Sequence, residues 1–270
     1  MKMLFGPVFI TILSFAHVEA TAKKGIGVGK PLYHCNDTNA FHGVSWWYDW
    51  HYAHFEQQIK HCTNDLRGEY VPMLWSGKTV LNSTIRVQNG STHVLGFNEP
   101  NVEHQSNMTP EKAAELWPEV EKKAAGKKII SPALAGCDDS KRCITWFIQF
   151  FAACKDCQVD ALAVHAYTCH AESLITSLED IAKYFMKPIW QTEFSCHKAT
   201  TPEQQLDYMK KILPLLESSP YIERYSWFQT RITHNSTFIT STTDLLERHS
   251  STLTKLGRYY DEYKSSPIVR

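Results

Sequence analysis

Val94-Leu95-Gly96-Phe97-Asn98-Glu99-Pro100-Asn101 opens the stretch that decides the fold. A short β-branched and aromatic run, the signature of a strand buried on both faces, stops abruptly at polar residues. Eight residues later Thr109-Pro110-Glu111-Lys112 supplies a cap, a proline at the first helical position and an acid in the first turn. Leu116, Val120 and Ala124 then share one helical face, and residues 128–131 resume a strand pattern. Strand, helix and parallel strand form one unit, and the same alternation extends outward in both directions. Strands are predicted at 25–28, 43–46, 70–74, 94–97, 128–131, 161–166, 189–193 and 224–228. Further helices are predicted from Thr201-Pro202-Glu203 through Leu206, Met209, Leu213 and Leu216, and over 173–185 and 251–263. Helices after the second and third strands are poorly defined, and 82–91 reads partly as a loop. Eight strand–helix units without a linker or a second composition zone predict an α/β fold, a single (β/α)₈ TIM barrel, rather than an open sheet.

The N-terminus predicts the compartment. Lys2, the apolar run 4–15 and the small residues of Val18-Glu19-Ala20 match a secretory signal peptide. The run is shorter than the about 20 residues that span a bilayer. The expected organisation is a signal peptide at 1–20 and a catalytic barrel at 21–270, secreted and extracellular, with no membrane anchor. Asn36, Asn82, Asn89, Asn107 and Asn235 each begin a glycosylation sequon. The eight cysteines form an even set, which an oxidising compartment converts to disulfides. Cys169 and Cys196 follow adjacent strands and are paired here. Cys137 with Cys143 and Cys154 with Cys157 close short loops, leaving Cys35 with Cys62.

Formal net charge is zero. A nucleic-acid binder carries a basic surplus, so that class is excluded. The glycine-rich segment 25–30 lacks the spacing and the hydroxyl residue of a phosphate loop. Cys154-Lys155-Asp156-Cys157 has no second pair to complete a zinc site, and His51 and His54 form no metal motif. No metal and no cofactor is expected, and the chain is read as a monomer.

Two acids remain. Glu99 ends the fourth strand and Glu193, in Gln191-Thr192-Glu193-Phe194, ends the seventh. Barrel enzymes place their chemistry at the C-terminal ends of strands, and strands four and seven face one another across the mouth. Two carboxylates across a bond, one protonated and one ionised, are what glycoside cleavage requires.

The chain resembles glycoside hydrolase family 128, secreted β-1,3-glucanases with an Asl1-like catalytic core. The matching text begins with Val44-Ser45-Trp46-Trp47-Tyr48-Asp49-Trp50, Val71-Pro72-Met73-Leu74-Trp75 and Leu95-Gly96-Phe97-Asn98-Glu99-Pro100. It continues through Ser106-Asn107-Met108-Thr109-Pro110-Glu111, Ser131-Pro132-Ala133 and the run 159–165 ending at His165. Lys187-Pro188-Ile189-Trp190-Gln191-Thr192-Glu193-Phe194, Glu223-Arg224-Tyr225-Ser226-Trp227-Phe228 and Leu253-Thr254-Lys255-Leu256-Gly257 complete it. The resemblance implies a retaining double displacement on β-glucan, with Glu99 as acid/base, Glu193 as nucleophile and Asn98 on the sugar 2-hydroxyl. A glucan-recognition protein without turnover, and a barrel hydrolase of another β-linked glycan such as mannan, are the alternatives.

Aromatic residues are expected to floor the site. Trp227 ends the eighth strand, Trp46 the second, and Trp75 follows the third. Trp47 and Trp50 read as a loop core. Alternation puts Trp190 opposite Glu193, packed beneath the helices. His165 and Tyr167 share a face beside Glu193 and are read as substrate-binding. Two departures from the family stand out: Ala166 replaces a tryptophan between His165 and Tyr167, and 229–248 is longer and more polar. Both bear on whether cleavage is endo or exo.

Overall fold

A computed structural model of the chain describes residues 22–54, 67–233 and 236–264. The eight strands are β1 Lys24–Gly27, β2 Trp46–Tyr48, β3 Glu69–Tyr70, β4 His93–Leu95, β5 Lys128–Ile130, β6 Leu162–Ala166, β7 Ile189–Phe194 and β8 Ile222–Trp227. Every strand pair is parallel. The fold is α/β and TIM-barrel-like, but the hydrogen-bonded sheet is not a closed ring. Six strands run in the order β3-β2-β1-β8-β7-β6, and β4 pairs with β5. At the two seams single bridges replace ladders: Met73 to Leu95 on one side, Ile130 to Ala161 and Leu134 to Val164 on the other.

The helices are α1 Gly77–Leu81, α2 Pro110–Ala124, α3 Ser140–Ala153, α4 Ala171–Phe185, α5 Pro202–Ser218 and α6 Lys255–Glu262. The predicted caps form: Thr109 accepts from the Lys112 amide and Thr201 from the Gln204 amide. Leu116, Val120 and Ala124 are buried, as are Leu206, Met209, Leu213 and Leu216. The aromatic-rich α3 was not predicted. The last helix starts at Lys255 rather than 251, because the Leu246–Leu253 bridge and the Glu247–Thr252 hydrogen bond hold the preceding residues in a hairpin. Thr254 caps it through the Gly257 amide. Residues 1–20, predicted as a signal peptide, and Cys62 lie outside the described residues.

Two apolar layers result. Outward-facing strand residues and the helices make the larger one. The smaller fills the interior with Trp46, Tyr48, Val71, Met73, Leu95, Ile130, Ala133, Ala161, Ala163 and Trp190. Gly25 and Gly27 make room for it. A methyl group on Gly25 would lie 2.2 Å from the Trp46 ring, and one on Gly27 would lie 2.8 Å from Trp50.

Trp190 is therefore inside the barrel, not under the helices. The reason is a bulge. Val164 pairs with Gln191 and His165 with Glu193, so Thr192 is one extra residue in β7. That insertion resets the alternation and lets Trp190 and Glu193, three apart, share the interior. The displaced Thr192 carbonyl accepts a 2.9 Å hydrogen bond from the Tyr48 hydroxyl.

Disulfides join Cys137 to Cys143, Cys154 to Cys157 and Cys169 to Cys196, as predicted, and Cys35 is also disulfide-bonded. Asn36, Asn82, Asn89 and Asn107 are exposed; Asn235 lies outside the described residues. Among the described residues no helix is long and apolar enough to cross a membrane.

Candidate active site

β4 delivers two consecutive side chains to one cleft, which a regular strand cannot do. Asn98 and Glu99 both line it, and the left-handed backbone of Glu99 (φ 41°) breaks the alternation. A non-glycine residue at such an angle is uncommon and clusters at functional positions. Glu99 is held by its amide, which donates to the Ala133 carbonyl at 2.8 Å. Asn98 Nδ2 donates to Gln105 Oε1 at 3.2 Å, and its buried Oδ1 has no partner among the described residues.

β6 and β7 place the facing groups. His165 Nδ1 lies 2.8 Å from Glu99 Oε1 and 3.3 Å from Glu193 Oε2, so the imidazole sits between the two carboxylates. One oxygen of each carboxylate and a His165 nitrogen lie within 4.8 Å of one another. Glu193 accepts from the Tyr167 hydroxyl at 2.5 Å and from Trp50 Nε1 at 2.7 Å. Glu99 is 9% exposed and Glu193 5%.

Burial in this dry pocket pushes the Glu193 carboxyl above its ordinary range, and the neighbouring Glu99 charge adds to that; His165, Tyr167 and Trp50 oppose it. Burial alone would lower the His165 pKa, but Glu193 and Glu99 outweigh it and raise it.

The cleft encloses about 320 Å³ and is lined by Trp50, Trp75, Asn98, Glu99, Gln105, Tyr167, Glu193, Phe228, Phe238 and Ile239. Trp75 is placed there by a 2.9 Å bond from the Asn98 amide to its carbonyl. Three residues predicted to bind substrate lie elsewhere. Trp46 begins β2 rather than ending it, so its ring fills the barrel floor, with Nε1 donating to the Lys23 carbonyl. Trp227 faces the helices, fully buried against Phe194 and Tyr260, with Nε1 on the Thr243 carbonyl. His165 is fully buried behind the carboxylates and does not line the cleft. Phe228, one residue beyond Trp227, occupies the wall instead.

Trp50, read from the sequence as part of a loop core, lines the cleft. It follows β2 in a left-handed conformation (φ 61°), and Gly27 opposite makes the space its indole uses. A small residue two positions after Gly25 on the neighbouring strand was the available signal.

The family model described as "Glycosyl hydrolase catalytic core" matches residues 27–260. An endo-β-1,3-glucanase of family GH128, subgroup II, from Sorangium cellulosum is 31% identical, with a TM-score of 0.75 over 90% of this chain and 99% of that one. A subgroup V exo-β-1,3-glucanase from Cryptococcus neoformans is 27% identical, with a TM-score of 0.77 over 89% and 98%. Alkali-sensitive linkage protein 1 of Schizosaccharomyces pombe is 28% identical over 69% of this chain. The chain spans about a third of that relative's length, 34%.

Proposed function

The chain belongs to the glycosyl hydrolase catalytic core family, glycoside hydrolase family 128, and from that premise we propose that it is a secreted β-1,3-glucanase acting by retaining double displacement. One observation carries the mechanism: the oxygens of Glu99 and Glu193 approach within 4.8 Å, with an imidazole between them. Retaining pairs stand about 5–5.5 Å apart, whereas inverting pairs need roughly 6.5–9.5 Å to admit a water.

The hydrogen bonds support this division of roles. Tyr167 and Trp50 both aim protons at Glu193, two hydrogen bonds that favour its charged form and fit it to the nucleophile's part. Glu99, which accepts neither of these bonds, takes the part of the acid/base. In the first step Glu193 attacks the anomeric carbon, the glycosidic bond breaks, and the Glu99 proton passes to the departing sugar oxygen. In the second, Glu99 takes a proton from water, whose oxygen attacks the same carbon and frees Glu193. The unpartnered Asn98 Oδ1 is available to the sugar 2-hydroxyl, and Trp75, Trp50 and Phe228 offer apolar surface to the ring faces. Secretion is supported by the apolar run 4–15, the exposed sequon asparagines and the disulfides.

The test is to incubate the protein with laminarin, a β-1,4-glucan and a mannan, sizing products and recording the first-formed anomer by proton NMR. Release from laminarin with the β-anomer first is expected. An α-anomer first would sink the nucleophile assignment, release from mannan alone would sink the substrate, and binding without release would identify a recognition protein.

A further inference from the structure

The cleft continues past the residues that hold the carboxylates. An unbroken series of touching rings leads outward from Glu193. Trp50 packs on Phe228 (centroids 5.6 Å apart), Phe228 on Tyr167 (5.6 Å), Tyr167 on Phe238 (5.0 Å) and Phe238 on His197 (5.6 Å). Beyond this series lies a second cavity of about 710 Å³, walled by His197, Lys198, Thr200, Thr240, Ser241 and Thr242. The segment 237–240 borders both cavities, since Phe238 and Ile239 line the first and Thr237 and Thr240 the second.

Phe238 is 49% exposed, so one face of its ring meets solvent while its other contacts are the Tyr167 and His197 rings. Its turn is locked from within. The Ser236 amide donates to the Ile239 carbonyl at 2.8 Å, while Ser236 Oγ accepts from the Phe238 and Ile239 amides at 3.2 and 2.9 Å. The ring is presented by a preorganised turn and does not hang from a loose loop. A ring with one open face, with the hydroxyls of Thr200, Thr240, Ser241 and Thr242 and the Lys198 amine beyond it, suits a polyhydroxyl chain with apolar ring faces. This segment also falls in the stretch that departs from the family pattern.

We propose that Phe238 is a glucan-binding residue outside the reaction centre, which carries the chain from the carboxylate cleft into the hydroxyl-walled cavity and sets chain-length preference. The proposal rests on the glucanase reading above.

The experiment measures kcat/KM on laminari-oligosaccharides of increasing length and follows the ratio of long to short substrate. In Phe238→Ala that ratio should fall by about tenfold, the size of one lost stacking contact. Phe238→Trp should restore it, and His197→Ala should lower it by a smaller factor, about threefold. An unchanged ratio in Phe238→Ala, or a Phe238→Trp protein no better than the alanine variant, overturns the proposal. A wild-type protein that leaves every oligosaccharide uncut and unbound removes the glucanase reading as well; wild-type cleavage with an unchanged ratio removes this proposal alone.

Discussion

The floor and the mouth of the barrel hold the same kinds of residue and treat them oppositely. At the floor, Glu69 accepts from the Thr92 amide and hydroxyl at 2.9 and 2.6 Å and from Arg224 at 2.7 Å, with His93 3.5 Å away. Burial would raise its pKa, but His93, Thr92 and Arg224 together hold the carboxyl far below the usual carboxylate range. Arg224 in turn lies over the Trp190 and Trp46 rings, at 4.6 and 5.6 Å. At the mouth, Glu193 also has a histidine, a hydroxyl and an indole, but a second carboxylate replaces the arginine, and its pKa is driven up. A carboxylate that must stay charged for stability is given a permanent cation. One that must exchange charge with a neighbour during a reaction is given a titratable one.

The largest effect that tests this contrast is at the mouth. Glu193→Ala should reduce laminarin hydrolysis by at least about a thousandfold while the thermal transition stays within a few degrees of wild type. Turnover surviving within tenfold would dismantle the assignment.

His165→Gln comes next. It should cost roughly a hundredfold in kcat, in the range of other general acid–base groups. Without the ring, the pull that lowers the Glu193 pKa is gone while burial and Glu99 still raise it. The acid limb of the kcat/KM profile should therefore move to higher pH. An acid limb that stays put would show that the ring is only a spacer.

At the floor the expected signature is reversed. Glu69→Gln should destabilise the fold by about 2 kcal/mol, chiefly by leaving Arg224 without its anion, yet keep specific activity per folded molecule. The sign with pH follows from the depressed pKa. The stability from Glu69 is fully present above the carboxylate range of the unfolded chain. It is lost as pH falls through the folded-state value, so the gap between wild type and variant should close in acid. Denaturant titrations at neutral and acid pH measure it.

The finest comparison is between two glycines of β1. Gly25→Ala intrudes on Trp46 at the floor and should lower stability by about 2 kcal/mol with little change in kcat. Gly27→Ala presses on Trp50, the donor to Glu193, and should lower kcat by about tenfold with the smaller loss of stability. Equal effects of the two on both readouts would erase the distinction between the regions.

Much of the fold was legible because its signals are local. The threonine caps at Thr109 and Thr201, the burial periods of α2 and α5, and the ends of β4 and β7 depend on neighbours in the chain. The pairing of Cys169 with Cys196 was legible too, since adjacent parallel strands bring their ends together. The tryptophans were not. Trp46 was misplaced because the start of β2 differs from the predicted one, and Trp190 because a bulge reverses alternation. Trp227 was assigned by its position at a strand end, though alternation there gives its neighbour Phe228 the cleft. Which way an aromatic side chain points is set by register, and register is decided by contacts with other strands.

The extra residue at Thr192 has an evolutionary corollary. In a chain that lost it, the tryptophan and the attacking carboxylate would stand two apart, and a regular strand would still carry both inward. One further residue at this point would instead turn the carboxylate out of the cleft, with every chemically active side chain retained in order. Homologues that have lost catalysis are therefore to be sought among those with a one-residue insertion here, as well as among those in which a glutamate has been replaced.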